Sequence, residues 1–276
     1  MKTSGKAFSA IGRALVILAI AAIYIVPFYW MLLTSIKSQG DVLVFPPTFW
    51  VAQPRWENFG EALSAFPFLR YLLNSVIVSV AIILCQCLTV IPAAYAFARF
   101  SFKGQKALFA IALASMMIPA QLVFLPVFLM ESRLGMINSY ASLILPSATS
   151  AFGIFMLRQT FKQVPEEVIE AARLDKTSEF KIMIKIMLPI AKPTIATLAL
   201  FTFISTWNDY FWPLVLTTDD RVRTLPLGVA SLKMAENGIA YHTMMAGNLI
   251  IIIPILIVFL FAQRQVVKAF TYMGKK

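Results

Sequence analysis

Long unbroken apolar runs, separated by shorter polar segments rich in Lys, Arg and Pro, dominate the chain. Several runs approach or exceed the roughly 20 residues that an α-helix needs to cross a bilayer. Spans are expected at about Ile11–Ser35, Tyr71–Phe97, Ala107–Met130, Ser142–Leu157, Pro193–Leu216 and Thr243–Gln263. The runs are continuous rather than alternating over about ten residues, which favours helices over a β-barrel. The expected fold class is therefore all-α integral membrane protein, with about six transmembrane helices. Pro92, Pro119, Pro126 and Pro254 mark expected kinks.

The polar intervals define an organisation of three parts. Residues 1–70 hold the first span and an extracytoplasmic loop from Lys37 to Arg70, too polar and too rich in proline to cross a membrane and expected to lie on its surface. The first span is too long for a cleavable leader. It ends in Phe28-Tyr29-Trp30, a cluster suited to a membrane interface. Residues 71–264 form the membrane-spanning core, interrupted by a long polar segment at about 158–192, by a short turn at Glu131–Ala141 and by a loop at Thr217–His242. Residues 265–276 form a tail. No repeat of fixed period is present, which removes a solenoid.

Composition agrees with the pattern. Apolar residues make up 59% of the 276 and charged residues 13%, about half of what a soluble domain carries. The net charge of +11 is explained by its placement. Three Lys/Arg precede or open the first span, three lie between the second and third, seven in the long segment and four from Arg264 to Lys276. These seventeen of the 24 fall on one side if six spans leave both termini in the cytoplasm. There is no basic stripe interleaved with aromatics and no nucleic-acid motif, so no nucleic-acid partner is expected. Cys85 and Cys87 lie inside an apolar run and read as small packing residues. The single His242 cannot build a histidine metal cluster.

The segment Arg158–Lys192 carries the most information. Pro165 suits the start of a helix, and Glu166 and Glu167 in its first turn suit the dipole. Val168, Ala171, Ala172 and Asp175 follow at helical spacing, a narrow face of small residues beside Glu170 and Arg173. Phe180, Ile182, Ile184, Ile186 and Leu188, mixed with Lys181 and Lys185, give a second amphipathic piece, after which Pro189 and Pro193 are expected to break the chain. Two readings remain open on physical grounds: an amphipathic loop on the membrane surface, or a docking element for another protein.

Here the sequence resembles a known family. Glu170-Ala171-Ala172-x-x-Asp175, followed by Phe180, Ile186 and Leu188-Pro189, is similar to the EAA loop of ABC importer permeases. In that family the loop forms the coupling helix that docks into a groove of the cytoplasmic ATPase. One position departs from the pattern, since Lys176 stands where the family usually has glycine, a residue free to adopt a left-handed turn. Leu134–Tyr140 with Leu145-Pro146, Phe203–Leu214 and the tail Phe270–Lys276 also resemble sugar permeases, the tail being similar to that of subunits like the G component of the maltose permease.

The resemblance implies a type I importer fold in the cytoplasmic membrane of a bacterium or archaeon. It also implies a homologous second permease, a dimer of ABC ATPases and an extracytoplasmic solute-binding protein, with lipid around the complex. The ATPase-coupling residues would be Glu170, Ala171, Ala172, Asp175, Lys176, Leu188 and Pro189. No G-x-x-x-x-G-K-[ST] phosphate loop occurs, so the chain is expected to be non-catalytic and to hold no cofactor, with ATP and Mg on the partner ATPase.

Polar residues inside a membrane are costly and usually face a partner or water. Asp209 is the only acidic residue that the pattern places within or at the edge of a span. With Thr206, Trp207, Asn208, Tyr210 and Trp212 it forms a candidate substrate pathway, in which aromatic faces and hydrogen-bonding groups suit sugar rings and hydroxyls. The same aromatics equally suit an interfacial belt. Asn74, Ser75, Gln86 and Thr89 are further polar residues within a span; Gln86 also suits a bond to a neighbouring helix. An ion-coupled transporter would need paired broken helices or deep ionisable groups, and an enzyme would need an assembled nucleophile or base. The expected function is half of the translocation pathway of an ABC importer for an oligosaccharide, polyol or sugar phosphate; a permease for peptide or phosphate is the alternative.

Overall fold

Where the apolar runs are uninterrupted, the chain is helical from end to end of each run. The computed structural model describes residues 2–235 and 238–273, with side chains from 12 to 233 and from 240 to 268. Among the described residues, four helical stretches are long and apolar enough to cross a membrane: Gly12–Ser35, Phe68–Arg99, Glu179–Trp207 and Tyr241–Lys268. Two more candidate spans are bent pairs, Gln105–Ser115 with Ala120–Arg133 at 100° and Tyr140–Ser147 with Ala151–Lys162 at 44°.

In chain order the helices are α1 (Lys2–Ser35), α2 (Gln39–Val42), α3 (Glu57–Ser64), α4 (Phe68–Arg99), α5 (Gln105–Ser115), α6 (Ala120–Arg133) and α7 (Tyr140–Ile144). They continue as α8 (Ala151–Lys162), α9 (Glu166–Leu174), α10 (Glu179–Ile182), α11 (Leu188–Trp207), α12 (Phe211–Leu216), α13 (Leu225–Ser231) and α14 (Tyr241–Met273).

The breaks depart from the expected spans, each for a local reason. The third span is interrupted because Pro119, at φ −59° and ψ 135°, starts α6 afresh and disfavours helical backbone at the residue before it. The fourth is bent by a 3₁₀ turn over Leu145–Ser147. The carbonyls freed at that bend are taken by α4: Gln86 Nε2 donates to Ser147 O at 2.9 Å and Thr89 Oγ1 to Ala148 O at 2.9 Å. Gln86 Oε1 also accepts from Thr202 Oγ1 of α11 at 2.7 Å. In a medium without water such carbonyls must find partners inside the protein, and this broken helix finds them in one neighbour.

Pro189 and Pro193 do not break the chain, contrary to the expectation. A five-residue π turn, Met183–Met187, joins α10 to α11, and Leu188 N–H closes it by bonding Met183 O. Pro189 then falls in the first turn of α11, where a missing donor is tolerated. The span also stops earlier than expected, at Trp207. Asn208–Tyr210 form a bend, and Asp209 Oδ1 accepts from the amides of Phe211 at 3.0 Å and Trp212 at 3.3 Å, capping α12. Two loops hold more structure than their polarity suggested. Lys37–Arg70 contains α2 and α3, and Thr217–His242 contains α13 and a small antiparallel ladder, β1 (Met234–Ala235) and β2 (Gly238–Ile239), with Met234 opposite Ile239.

The chain divides into two compact units. The first comprises residues 1–68 and 228–253. Its order comes from buried polar groups: Asn58 Nδ2 donates to Ser35 O at 2.8 Å and Lys37 O at 2.9 Å, and Lys37 Nζ donates to Thr48 O at 2.8 Å. Gly247 is required by close packing, since a Cβ there would lie 2.9 Å from Leu232 Cδ1 and 3.1 Å from Val229. The second unit, 69–227 with 254–276, holds two separate apolar clusters. One joins Val90, Ala94, Tyr95, Leu157, Phe161, Val164, Ile169, Ile182, Met183, Met187 and Ala191, and so packs the end of α4 against α8, α9, the π turn and α11. The other gathers Val78, Ile82, Leu143, Leu216 and Val222 around the opposite half of α4. By contrast α1 leaves Ile23 71% and Tyr24 72% exposed, and α14 leaves Phe261 84% exposed. Apolar surface on this scale fits lipid or another membrane subunit, not water.

Candidate functional site

Two places in the second unit collect the residues that the sequence singled out. The first is α9 and the turn that follows it. Ile169 is its one wholly buried side chain, completely sequestered in the inner apolar cluster, which holds the helix down by roughly 2 kcal/mol of buried surface. Glu170 and Ala171 face outward and are exposed, Ala172 is half-buried, and Asp175 and Lys176 are exposed. Leu174 is 84% and Phe180 68% exposed. Leu188 is half-buried and Pro189 exposed, on the far side of the π turn. The structure therefore leaves Glu170, Ala171, Asp175 and Lys176 exposed in one short stretch, together with two large apolar side chains that the other described residues leave uncovered.

The turn after α9 resolves the departure at Lys176. Thr177 N–H bonds Ala172 O at 3.0 Å and Lys176 N–H bonds Arg173 O at 2.9 Å, the paired closure of a Schellman motif. That motif requires a left-handed residue, and Lys176 takes φ +56°. The lysine thus adopts the conformation in which glycine would carry no steric penalty.

Behind α9 lies an ionic network that the sequence pattern did not single out. Arg99, at the end of α4 and only 5% exposed in its side chain, pairs with Glu166 and donates through Nη2 to the carbonyls of Phe161 and Val164. Arg173 lies 3.6 Å from Glu166 and 2.8 Å from Glu179, and the Glu179 carboxylate holds its guanidinium above the ordinary value. Tyr95, also on α4, donates to the other oxygen of Glu179. Arg99 counted only as one of the basic residues on the inner side. Its signal in the sequence was its position, an arginine closing a 32-residue apolar helix.

The second place is a cavity of about 130 Å³ lined by Val78, Ile82, Leu143, Ser147, Ser205, Thr206, Asp209, Trp212, Pro213 and Thr224. Of the candidate pathway residues it collects Thr206, Asp209 and Trp212. Trp207 is placed elsewhere, 1% exposed and stacked on Phe203 at 5.1 Å. Asn208 turns back to bond Ile204 O at 2.8 Å, and Tyr210 is 44% exposed. Ser147 and Thr224 come from other parts of the chain, whereas Ser205 directly precedes Thr206.

The remaining polar residues of α4 serve the fold. Asn74 Nδ2 donates to the carbonyls of Arg221 at 3.0 Å and Arg223 at 2.8 Å, and its Oδ1 accepts from Tyr140 at 2.6 Å. Ser75 Oγ accepts from Leu225 N–H at 2.8 Å. In the loop so held, Arg221 keeps the Asp219 carboxyl well below the usual carboxylate range, and Asn138 adds a bond at 2.8 Å. Asp209 is not the only acidic residue in a span, as the pattern suggested: α6 runs on to Arg133, so that Glu131, 1% exposed, lies inside it and not in a turn.

The chain thus joins an open helical face, backed by a buried ionic anchor, to a set of broken and bent apolar helices. Residues 90–272 match the family described as binding-protein-dependent transport system inner membrane component. The chain belongs to this family. It is a multi-pass permease subunit of an ABC importer, in which other subunits carry the ATPase. It is 33% identical over 96% of its length to the diacetylchitobiose uptake system permease protein NgcG of Streptomyces coelicolor, covering 88% of that protein. The arabinooligosaccharides transport system permease protein AraQ of Halalkalibacterium halodurans is 33% identical over 88% of this chain and 86% of that one. The sn-glycerol-3-phosphate transport system permease protein UgpE of Rhizobium meliloti is 32% identical, with 94% of each chain covered. A crystal structure of a bacterial ABC transporter involved in the import of the acidic polysaccharide alginate superposes with a TM-score of 0.79 at 25% identity, covering 95% of this chain and 97% of the other.

Proposed function

We propose that this permease forms half of the translocation pathway of an importer for a sugar or closely related polyhydroxylated solute, delivered by an extracytoplasmic binding protein. The working complex would contain a second, homologous permease and a dimer of cytoplasmic ATPases that bind ATP and Mg. The substrates named for these relatives, diacetylchitobiose, arabinooligosaccharides and sn-glycerol 3-phosphate, support that class. Seventeen of the 24 Lys and Arg residues on one side support cytoplasmic termini and a cytoplasmic α9.

The observation that carries the coupling role is the exposed face of α9, with Glu170 and Ala171 open, Leu174 and Phe180 uncovered, and Ile169 anchoring the back. In this reading Glu170, Ala171, Ala172, Asp175 and Lys176 meet a groove of the ATPase, and Leu188 and Pro189 position the segment from below. Stranding the partner of a buried interfacial charge costs on the order of 3–5 kcal/mol, and a bulky residue in place of a small one blocks close approach by sterics.

Glu170→Ala and Ala171→Leu are therefore expected to abolish or strongly reduce binding-protein-stimulated ATP hydrolysis, while the subunit still inserts. Stimulated hydrolysis by the purified complex is the measurement. Parental rates in both variants, with the ATPase still bound, would remove α9 from the coupling role.

A further inference from the structure

We propose that the cavity between α4, α7, α11 and α12 is a subsite for one ring of an uncharged saccharide, and that its charge pattern selects against phosphorylated and acidic sugars. This inference rests on the pathway role proposed above for Thr206, Asp209 and Trp212, and it adds a ligand class and further residues to it.

The lining is what distinguishes it. At about 130 Å³ the space exceeds what one or two waters need, and it is walled by hydroxyls, one carboxylate, an indole and a few aliphatic groups. Asp209 cannot swing freely, because Oδ1 is fastened by the amides of Phe211 and Trp212; neither bond uses Oδ2. Thr224 is 3% exposed, and its Oγ1 is buried without a hydrogen-bond partner while its residue lines the cavity. A buried hydroxyl in that state is costly unless something completes it. Ser147, Ser205 and Thr206 place further hydroxyls around the same space. A sugar ring presents the complement: hydroxyls that both donate and accept, and C–H faces for Trp212, Val78, Ile82 and Leu143.

The electrostatics choose between sugar types. Among the described residues, no Lys or Arg lines the cavity. Arg223 is adjacent to Thr224 in sequence, but it is paired with Asp220 at 3.2 Å and donates to Thr218 O at 3.3 Å. A phosphate or uronate brought beside Asp209 would meet like charge in a partly desolvated space with no cation to offset it, which is strongly unfavourable. A neutral ring meets an acceptor instead.

The test uses the whole transporter in lipid nanodiscs, with Cys85 and Cys87 replaced by Ser and a single reporter thiol from Ser205→Cys at the rim. The rate of labelling by a small methanethiosulfonate is measured alone and with maltose, cellobiose, glycerol 3-phosphate or glucuronate. Neutral disaccharide at about ten times its half-protecting concentration is expected to slow labelling about tenfold, and the two anions are expected to leave it unchanged. Adding Asp209→Asn or Thr224→Val should raise the half-protecting concentration of the neutral disaccharides at least about fivefold while leaving the labelling rate without sugar unchanged, a rate that general loosening of the helices would raise.

Equal protection by the anions would overturn the charge selection and leave the pathway role standing. No protection by either neutral disaccharide would overturn the subsite itself. Binding-protein-stimulated ATP hydrolysis, measured on the same preparation, separates both failures from failure of the permease reading, because it depends on α9 and not on this cavity.

Discussion

The two ends of α4 are fastened to the rest of its unit by opposite chemistry. At the C-terminal end, the inner end in the topology proposed above, Arg99 and Tyr95 enter a charged network with Glu166, Arg173 and Glu179. At the N-terminal end, the outer end in that topology, Tyr71, Asn74 and Ser75 hold residues 220–225 largely through hydrogen bonds to backbone groups. Backbone carbonyls bind their partners at fixed points along the chain, so the outer loop is held as a shape. The inner network holds side chains on three helices through charge, and Glu166 and Glu179 stay half-open to solvent. The inner end therefore pins one face of α9 while leaving the other exposed; the outer end consumes its polar groups internally. Arg99 is the exception within the inner network, since it is buried and bonds carbonyls as well as a carboxylate.

That exception makes Arg99 the most damaging single place to cut. Arg99→Ala would strand the carbonyls of Phe161 and Val164 and remove the counter-charge of Glu166. The expected loss is about 3 kcal/mol, seen as a lower thermal midpoint of the purified complex and loss of stimulated ATP hydrolysis. Arg99→Lys should fall between, because an ammonium cannot fork across three acceptors. A midpoint unchanged by Arg99→Ala would mean that the inner apolar cluster alone holds α9.

The outer end should yield less to one change. Asn74→Leu keeps the volume and removes bonds to Arg221 O, Arg223 O and Tyr140 Oη. We expect a loss of about 2 kcal/mol, expressed as faster hydrogen exchange in residues 217–225 with stimulated hydrolysis retained. If exchange rises instead across α9, the two ends are mechanically one element and the contrast drawn above is wrong.

What could be read in advance followed from whether a cause was local. The apolar runs and the basic asymmetry depend on composition within a window, and the six expected spans correspond to four intact helices and two bent pairs. The π turn at Met183–Met187 was not legible, because Pro189 signals a break unless the turn before it absorbs the missing donor. The break at Asn208–Tyr210 was hidden by apolar residues on both sides, though Asp209 two residues before Phe211 is a capping signal. The cavity mixes Ser147, Thr224 and the stretch from Ser205 to Asp209, and only the packing of α4, α7, α11 and α12 brings these segments together. The exposed face of α9 was legible because every residue that forms it lies within one short stretch.

The smallest expected effect concerns the turn that closes that stretch. Lys176 sits at φ +56°, a region where a side chain with a Cβ costs about 1 kcal/mol relative to glycine. The Schellman bonds from Thr177 and Lys176 need that conformation, so the penalty is carried by the folded state. Lys176→Gly relieves it and in exchange widens the unfolded ensemble, which returns part of the gain. The net expectation is a stabilisation of about 0.5 kcal/mol, visible as slower hydrogen exchange at residues 172–177 in the isolated subunit in detergent. Lys176→Ala keeps the Cβ and should give no such slowing. If glycine instead speeds exchange in the isolated subunit, the lysine side chain stabilises the turn through contacts of its own. If it slows exchange there but weakens stimulated ATP hydrolysis, the ammonium serves the docking surface, and this chain has given up turn stability for a charge that faces its partner.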